Sequence, residues 1–128
     1  METLIYLDTH VVAWLYSGHL ELLTAKAVKR INEEDELRIS PAVVLELQYL
    51  KEIGRLTVGS NAVVQGLAAQ VGLRVCDVAF AAVIESALDH DWTRDPFDRI
   101  IVGQAALTRA PLLTKDRTIH RHYRQSVW

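Results

Sequence analysis

The chain has 128 residues, half of them apolar, enough for one hydrophobic core and too few for two, so a single domain spanning 1–128 is expected. Its formal net charge of -2 excludes a polycation that grips nucleic acid by bulk charge, and any such contact must be local. Cys76 is the only cysteine, which excludes an internal disulfide and a cysteine-based zinc site and fits a reducing cytoplasm.

The N-terminal residues Met1 to Tyr6 carry neither a basic leader nor a long apolar run. No uncharged apolar stretch reaches the roughly 18 residues of a membrane span, so an intracellular protein without a membrane segment is expected. Leu4-Ile5-Tyr6-Leu7 is a short β-prone run ending at Asp8-Thr9, after which Val11, Val12, Trp14 and Leu15 continue at helical spacing. This predicts strand, turn, helix, with Asp8 at the rim where open α/β sheets bind ligands. A plain helix cap at Asp8 or Thr9 explains the pair equally well.

Residues 25–34 read as an amphipathic helix ending in the solvated run Glu33-Glu34-Asp35-Glu36. Leu37-Arg38-Ile39 predicts a second strand, and Ser40-Pro41 an N-cap followed by a first-turn proline, opening a helix to about Ile53. On it Val43, Leu47 and Leu50 mark a buried face. Glu46 lies three residues after Val43 and four before Leu50, on the same side, where an unpaired carboxylate is costly. Either an arginine partner or a chemical role accounts for it.

Ser60 is the expected cap of a helix to about Val71 that Gly72 closes, and residues 73–76 a third strand, with Cys76 a small core residue. Asp77 is the expected cap of an apolar, alanine-rich helix from Val78 to about Leu88. Residues 94–105 begin a further helix: Asp95 caps it, Pro96 fits its first turn, and Phe97, Ile100, Ile101 and Ala105 recur at helical spacing. Asp98 falls at the edge of that apolar stripe, although a capping box with Asp95 at the positive end of the helix dipole is a sufficient structural reason for both acids. Residues 110–114 predict a last strand ended by Lys115-Asp116, repeating the pattern at Asp8. In the tail, His120 and His122 alternate as in a strand, and Lys115, Arg117, Arg121 and Arg124 make this end locally basic, compatible with phosphate contact, although a solvated C-terminal face is the commoner explanation for so short a run.

The acids at strand ends and helix starts would repel one another at close range unless protons or cations intervene. Oxygen donors of this kind favour magnesium or manganese over zinc, and phosphodiester hydrolysis uses such a site best. No glycine-rich phosphate loop, G-x-S-x-G elbow or H-E-x-x-H helix is present.

Leu-Asp-Thr-His at 7–10, Ser-Pro-Ala-Val-Val-Leu-Glu-Leu at 40–47, Arg-Asp-Pro-Phe-Asp-Arg at 94–99 and Leu-Leu-Thr-Lys-Asp at 112–116 resemble, in order, the acidic motifs of the PIN domain, and more narrowly the VapC toxins of toxin-antitoxin pairs. The resemblance implies a three-layer α/β/α sandwich with a mainly parallel central sheet. It also implies a magnesium-dependent endoribonuclease, a homodimer, held in check by a small antitoxin. Carried over by position, Asp8, Glu46, Asp98 and Asp116 match the catalytic acids, with Asp8 and Asp98 the metal ligands. Asp95 matches an acid of this branch only, and Thr9 and Thr114 match small hydroxyl residues beside the site. An RNA-processing or DNA-repair nuclease of the same fold without an antitoxin is the alternative, and a phospho-accepting receiver domain a more distant one. The segments 43–50 and 63–67 are the expected apolar docking surface for an antitoxin helix, whose arginine would pair with the cleft carboxylates.

Overall fold

The computed structural model describes residues 2–128. Leu4–Leu7 form β1, three of its four residues buried, as a parallel strand covered on both faces requires. From Asp8 the chain enters α1 (Thr9–Ser17), closed by Gly18 at φ 74°, a left-handed conformation that glycine adopts without a Cβ clash. A short 3-10 turn follows at Leu20–Leu22. The Thr24 hydroxyl then accepts from the Ala27 N–H to cap α2 (Ala25–Glu33). β2 (Glu36–Ile39) runs into α3 (Pro41–Glu52), capped by Ser40 with Pro41 in the first turn. The remaining elements are α4 (Ser60–Val71), β3 (Arg74–Val75), α5 (Phe80–Ala87), α6 (Pro96–Ala106), β4 (Leu112–Leu113), α7 (Arg117–His122) and β5 (Ser126–Val127).

The five strands make one sheet in the order β3-β2-β1-β4-β5, every pair parallel, and the helices complete the three-layer α/β/α sandwich. From β1 the chain steps outward through β2 to β3, then crosses back to β4 and β5 on the other side. β1 and β4 therefore flank the reversal, where open α/β sheets leave a crevice beyond the strands' carboxyl ends. Leu7 is in register with Leu113, so the next residues, Asp8 and Thr114, leave the sheet side by side.

The core beneath that crevice is aliphatic: Ile5, Leu7, Ile39, Leu47, Leu67, Ile101, Leu112, Leu113 and Ile119 are fully buried. α5 and α6 approach so closely that a Cβ on Gly103 would lie 2.8 Å from the Ala87 backbone nitrogen. Three hydrogen bonds lock the pair. Ser86 Oγ donates to the Gly103 carbonyl, and the Arg99 guanidinium donates to the carbonyls of Ala87 and Leu88 at the end of α5.

Several local expectations fail for identifiable reasons. Ser60 is the first helical residue rather than the cap; Gly59 holds the cap position, and the Ser60 N–H is satisfied from α3 by the Gln48 side-chain oxygen at 3.2 Å. Asp77 caps nothing, because the Cys76 N–H still bonds the Ile39 carbonyl across the sheet edge and α5 starts only at Phe80. His120 and His122 are helical, since Asp116 accepts from the N–H groups of Thr118 and Ile119 and so starts α7. β5, two residues long, has too little sequence to show alternation. The apolar segments expected to receive a partner are turned inward: Val43, Leu47, Val63 and Leu67 have no exposed surface, whereas Leu45, Tyr49 and Ile53 form the exposed stripe of α3.

Candidate active site

Asp8, Thr9, His10, Glu46, Leu50, Asp95, Asp98 and Asp116 line one cleft of about 270 Å3 at the carboxyl end of the sheet. The sequence-predicted acids thus come together from four places: the end of β1, the middle of α3, the start of α6 and the β4–α7 loop. Asp8 is almost wholly buried. Its two oxygens are engaged separately, Oδ1 accepting from the Thr9 N–H at 2.8 Å and Oδ2 from the Thr114 hydroxyl at 2.7 Å. The buried Thr114 hydroxyl also accepts from the Asp116 N–H at 3.0 Å, so one side chain at the end of β4 sets two acids at once.

Glu46 reaches the cleft from the half-buried side of α3, where the Thr9 hydroxyl donates to its Oε1. Burial pushes its carboxyl up from the ordinary value; the Thr9 bond opposes this, while the Asp8 and Asp95 charges add to it. No arginine pairs with it among the described residues. Asp95 is the N-cap of α6, its Oδ1 accepting from the N–H groups of Phe97 at 2.9 Å and Asp98 at 3.3 Å. Asp98, one turn inward, is pushed up to about 7, first by burial and then by the negative charges of Asp95, Asp8, Asp116 and Glu46. Upstream, the Trp92 ring stacks on His122 of α7 with centroids 4.8 Å apart and planes 4° from parallel. That stack pins the loop that delivers Asp95 and Asp98.

The donor set is all oxygen, with hydroxyls holding the carboxylates in place, and one acid is raised to about 7 first by burial and then by the surrounding negative charges. A hard divalent cation fits this chemistry. As the side chains stand, no three His, Cys, Asp or Glu groups among the described residues are close enough together to hold an ion.

His10 was not singled out by its sequence context, yet it lines the cleft. Its Nε2 accepts from the Lys115 N–H at 2.9 Å, leaving Nδ1 as the protonated nitrogen, 3.5 Å from Asp8 Oδ2. Burial, the largest influence, pulls its pKa below the ordinary value. The only sequence signal was its place two residues after Asp8 in the first turn of α1. Of the basic residues at this end, Lys115, Arg117, Arg121 and Arg124 are all exposed, none forms an ion pair among the described residues, and only Lys115 reaches the cleft's margin.

A parallel α/β/α sandwich that gathers five acids beyond its strand ends is an α/β protein with an acidic strand-end site. The PIN domain family matches residues 5–125, and the chain belongs to that family. It is 33% identical over 131 aligned positions to Ribonuclease VapC22 of Mycobacterium tuberculosis, covering 98% of this chain and 99% of the relative. Similar solved structures include DNA-bound VapBC from Salmonella typhimurium, with TM-score 0.62, 20% identity and coverage of 94% and 92%. Another is VapBC2 from Rickettsia felis bound to a promoter DNA fragment, with TM-score 0.61, 17% identity and coverage of 93% and 92%. A toxin-antitoxin complex from Klebsiella pneumoniae aligns with TM-score 0.59, 16% identity and coverage of 97% and 96%.

Proposed function

We propose that the chain is a magnesium-dependent endoribonuclease, with manganese as a substitute, and the toxin of a toxin-antitoxin pair. The observation that carries this reading is the convergence of Asp8, Glu46, Asp95, Asp98 and Asp116 on one cleft. The full-length likeness to a protein named as a ribonuclease supports the activity. The toxin-antitoxin complexes among the similar structures support the partner.

Asp8 and Asp98 are the residues that would hold the cation, with Asp116 and Asp95 beside them. When bound, the cation supplies Lewis-acid polarisation of the phosphodiester and lowers the pKa of an attacking water. The chain's own part is positioning and proton handling. Thr114 holds Asp8 and the backbone of Asp116 in one register, and Thr9 holds Glu46 facing the same cleft. With its carboxyl raised by burial, Glu46 is a stronger base than a solvated glutamate and suits accepting the water's proton. Lys115, Arg117, Arg121 and Arg124 supply local positive charge for the RNA backbone on a chain that is negative overall. Leu45, Tyr49 and Ile53 on α3, with Phe80 of α5 and Leu88 at its end, are exposed apolar surface available to an antitoxin or a second copy of the chain. An antitoxin arginine inserted among the acids would pair with them bidentately and compete with the cation.

The test is incubation of the purified chain with single-stranded RNA in magnesium, in manganese, in zinc and in EDTA. Cleavage in the first two and none in EDTA is expected. Full cleavage in EDTA, or cleavage with zinc alone, overturns the reading.

A further inference from the structure

One margin of the acidic cleft is aromatic and cationic rather than acidic. His10 and Asp116 line both the carboxylate cleft and an adjoining pocket of about 310 Å3, whose other lining residues are Trp14 and Lys115. Trp14 stands one helical turn beyond His10, with ring centroids 5.0 Å apart at 59°. Trp128, just after β5, closes a triangle at 6.2 Å from each of those rings. All three rings are only partly buried, so packing fixes their orientation while leaving ring surface open. The exposed Lys115 lays its ammonium over Trp14, 5.7 Å from the ring centroid, and its backbone N–H is tied to His10.

Trp14 and Trp128 pack against the core yet keep part of their ring surface open. The pocket is at the small end of the roughly 300 to 1,000 Å3 typical of ligand sites, so it suits one planar group and not a run of nucleotides. Two residues shared with the acidic cleft place that group next to whatever the acids act on. Aromatic faces take up bases of any identity because every base has a π-face, and a neighbouring cation serves the phosphate beside it.

We propose that the pocket bounded by His10, Trp14 and Lys115 is a subsite for one nucleobase of the RNA strand, stacked on Trp14 next to the phosphodiester held in the acidic cleft. The subsite rests on the ribonuclease reading above. Lys115 covers the ring when the pocket is empty; being exposed, it swings out to the adjoining phosphate when a base enters. His10 and Trp128 pack against Trp14 at interplanar angles of 59° and 52° and hold its ring beside the pocket. Such a subsite fixes where the strand lies without reading its sequence, and it offsets locally the repulsion between five acids and a polyanion.

The test uses the full chain and a short single-stranded RNA in which one abasic nucleotide is moved stepwise past the scissile bond. KM and kcat are measured for the parent, Trp14→Leu, Trp14→Phe and Trp128→Leu. Trp14→Leu is expected to raise KM roughly 5- to 150-fold, the range that one base–aromatic stack supports, and more than it lowers kcat, with Trp14→Phe recovering most of the loss. One abasic position should cost the parent the same factor and cost Trp14→Leu almost nothing, the non-additivity of two changes that remove one contact. Trp128→Leu gives the same pattern more weakly and serves if Trp14→Leu melts too early to assay. Additive losses at every abasic position, or an unchanged KM in folded Trp14→Leu, overturn the subsite while leaving the ribonuclease reading in place. Quenching of tryptophan fluorescence by the same RNA in EDTA separates the other case: base-dependent quenching by a chain that never cleaves would sink the ribonuclease reading and keep the subsite.

Discussion

Asp98→Asn is the perturbation that reports most directly on what burial and, after it, charge crowding cost a carboxylate in the cleft. The carboxyl is pushed from 3.8 up to about 7. At 1.36 kcal/mol per pKa unit this sets a ceiling of about 4 kcal/mol on the cost of its charged form. The side chain is only partly buried, and solvent screening brings that to about 2 kcal/mol. The sign follows from proton binding. Below about pH 4 the carboxyl is protonated in both folded and unfolded chains, and the cost is absent. Between about pH 4 and 7 the unfolded chain releases a proton that the folded chain keeps, so stability falls as pH rises, and above about pH 7 the whole cost is present. Asparagine keeps the shape and carries no charge. Relative to the parent, Asp98→Asn should therefore melt at about the same temperature near pH 4. Near pH 8 in EDTA it should melt about 8 °C higher, taking roughly 4 °C per kcal/mol for a chain of this size. Thermal unfolding followed by circular dichroism at several pH values is the assay. A difference that does not grow with pH, or a variant less stable than the parent near pH 8, would refute the account of a carboxylate disfavoured by burial and crowding.

Asp95→Asn should keep the cap of α6, melt close to the parent and retain much of the cleavage activity, whereas Asp95→Ala should lose about 0.5 to 2 kcal/mol in urea unfolding; equal inactivation by Asp95→Asn and Asp98→Asn would make Asp95 a catalytic acid. Thr114→Val deletes the hydroxyl shared by Asp8 and the Asp116 backbone and should cost about 1.5 to 3 kcal/mol, the range for a hydrogen bond to a charged group, with Thr114→Ser recovering most of it. Gly103→Ala forces a methyl against the Ala87 backbone and should destabilise by at least about 1 to 3 kcal/mol; a neutral effect on the melting temperature would mean that α5 and α6 part at little cost.

The elements legible in the sequence were those whose signals are local and chemical. Asp95-Pro96 specified the start of α6 because a capping carboxylate and a proline without an N–H act on the same few backbone groups, and Ser40-Pro41 did the same for α3. Glu46 stood out because its neighbours at three and four residues are apolar, and in the fold it is half-buried and held by Thr9. What the sequence hid depends on distant partners. Gln48 satisfies Ser60 from another helix, and β5 exists only because β4 offers it an edge. The alternation of His120 and His122 mimicked a strand, while the cap that makes them helical lies upstream at Asp116. The inward turn of Val43 and Val63, against the exposed stripe of Leu45, Tyr49 and Ile53, is set by which face α3 and α4 give each other. His10, Trp14 and Trp128 span almost the whole chain, and only the pairing of β5 beside β4 brings the last of them to the first two.

The central claim is that the acids at the carboxyl end of the sheet form a cation site through Asp8 and Asp98. Calorimetric titration of manganese into the full chain near pH 7.5, without RNA, tests it most directly. Saturable binding by the parent, abolished or weakened at least tenfold in both Asp8→Asn and folded Asp98→Asn, is the predicted result. Manganese binding of unchanged affinity in either variant would contradict the assignment.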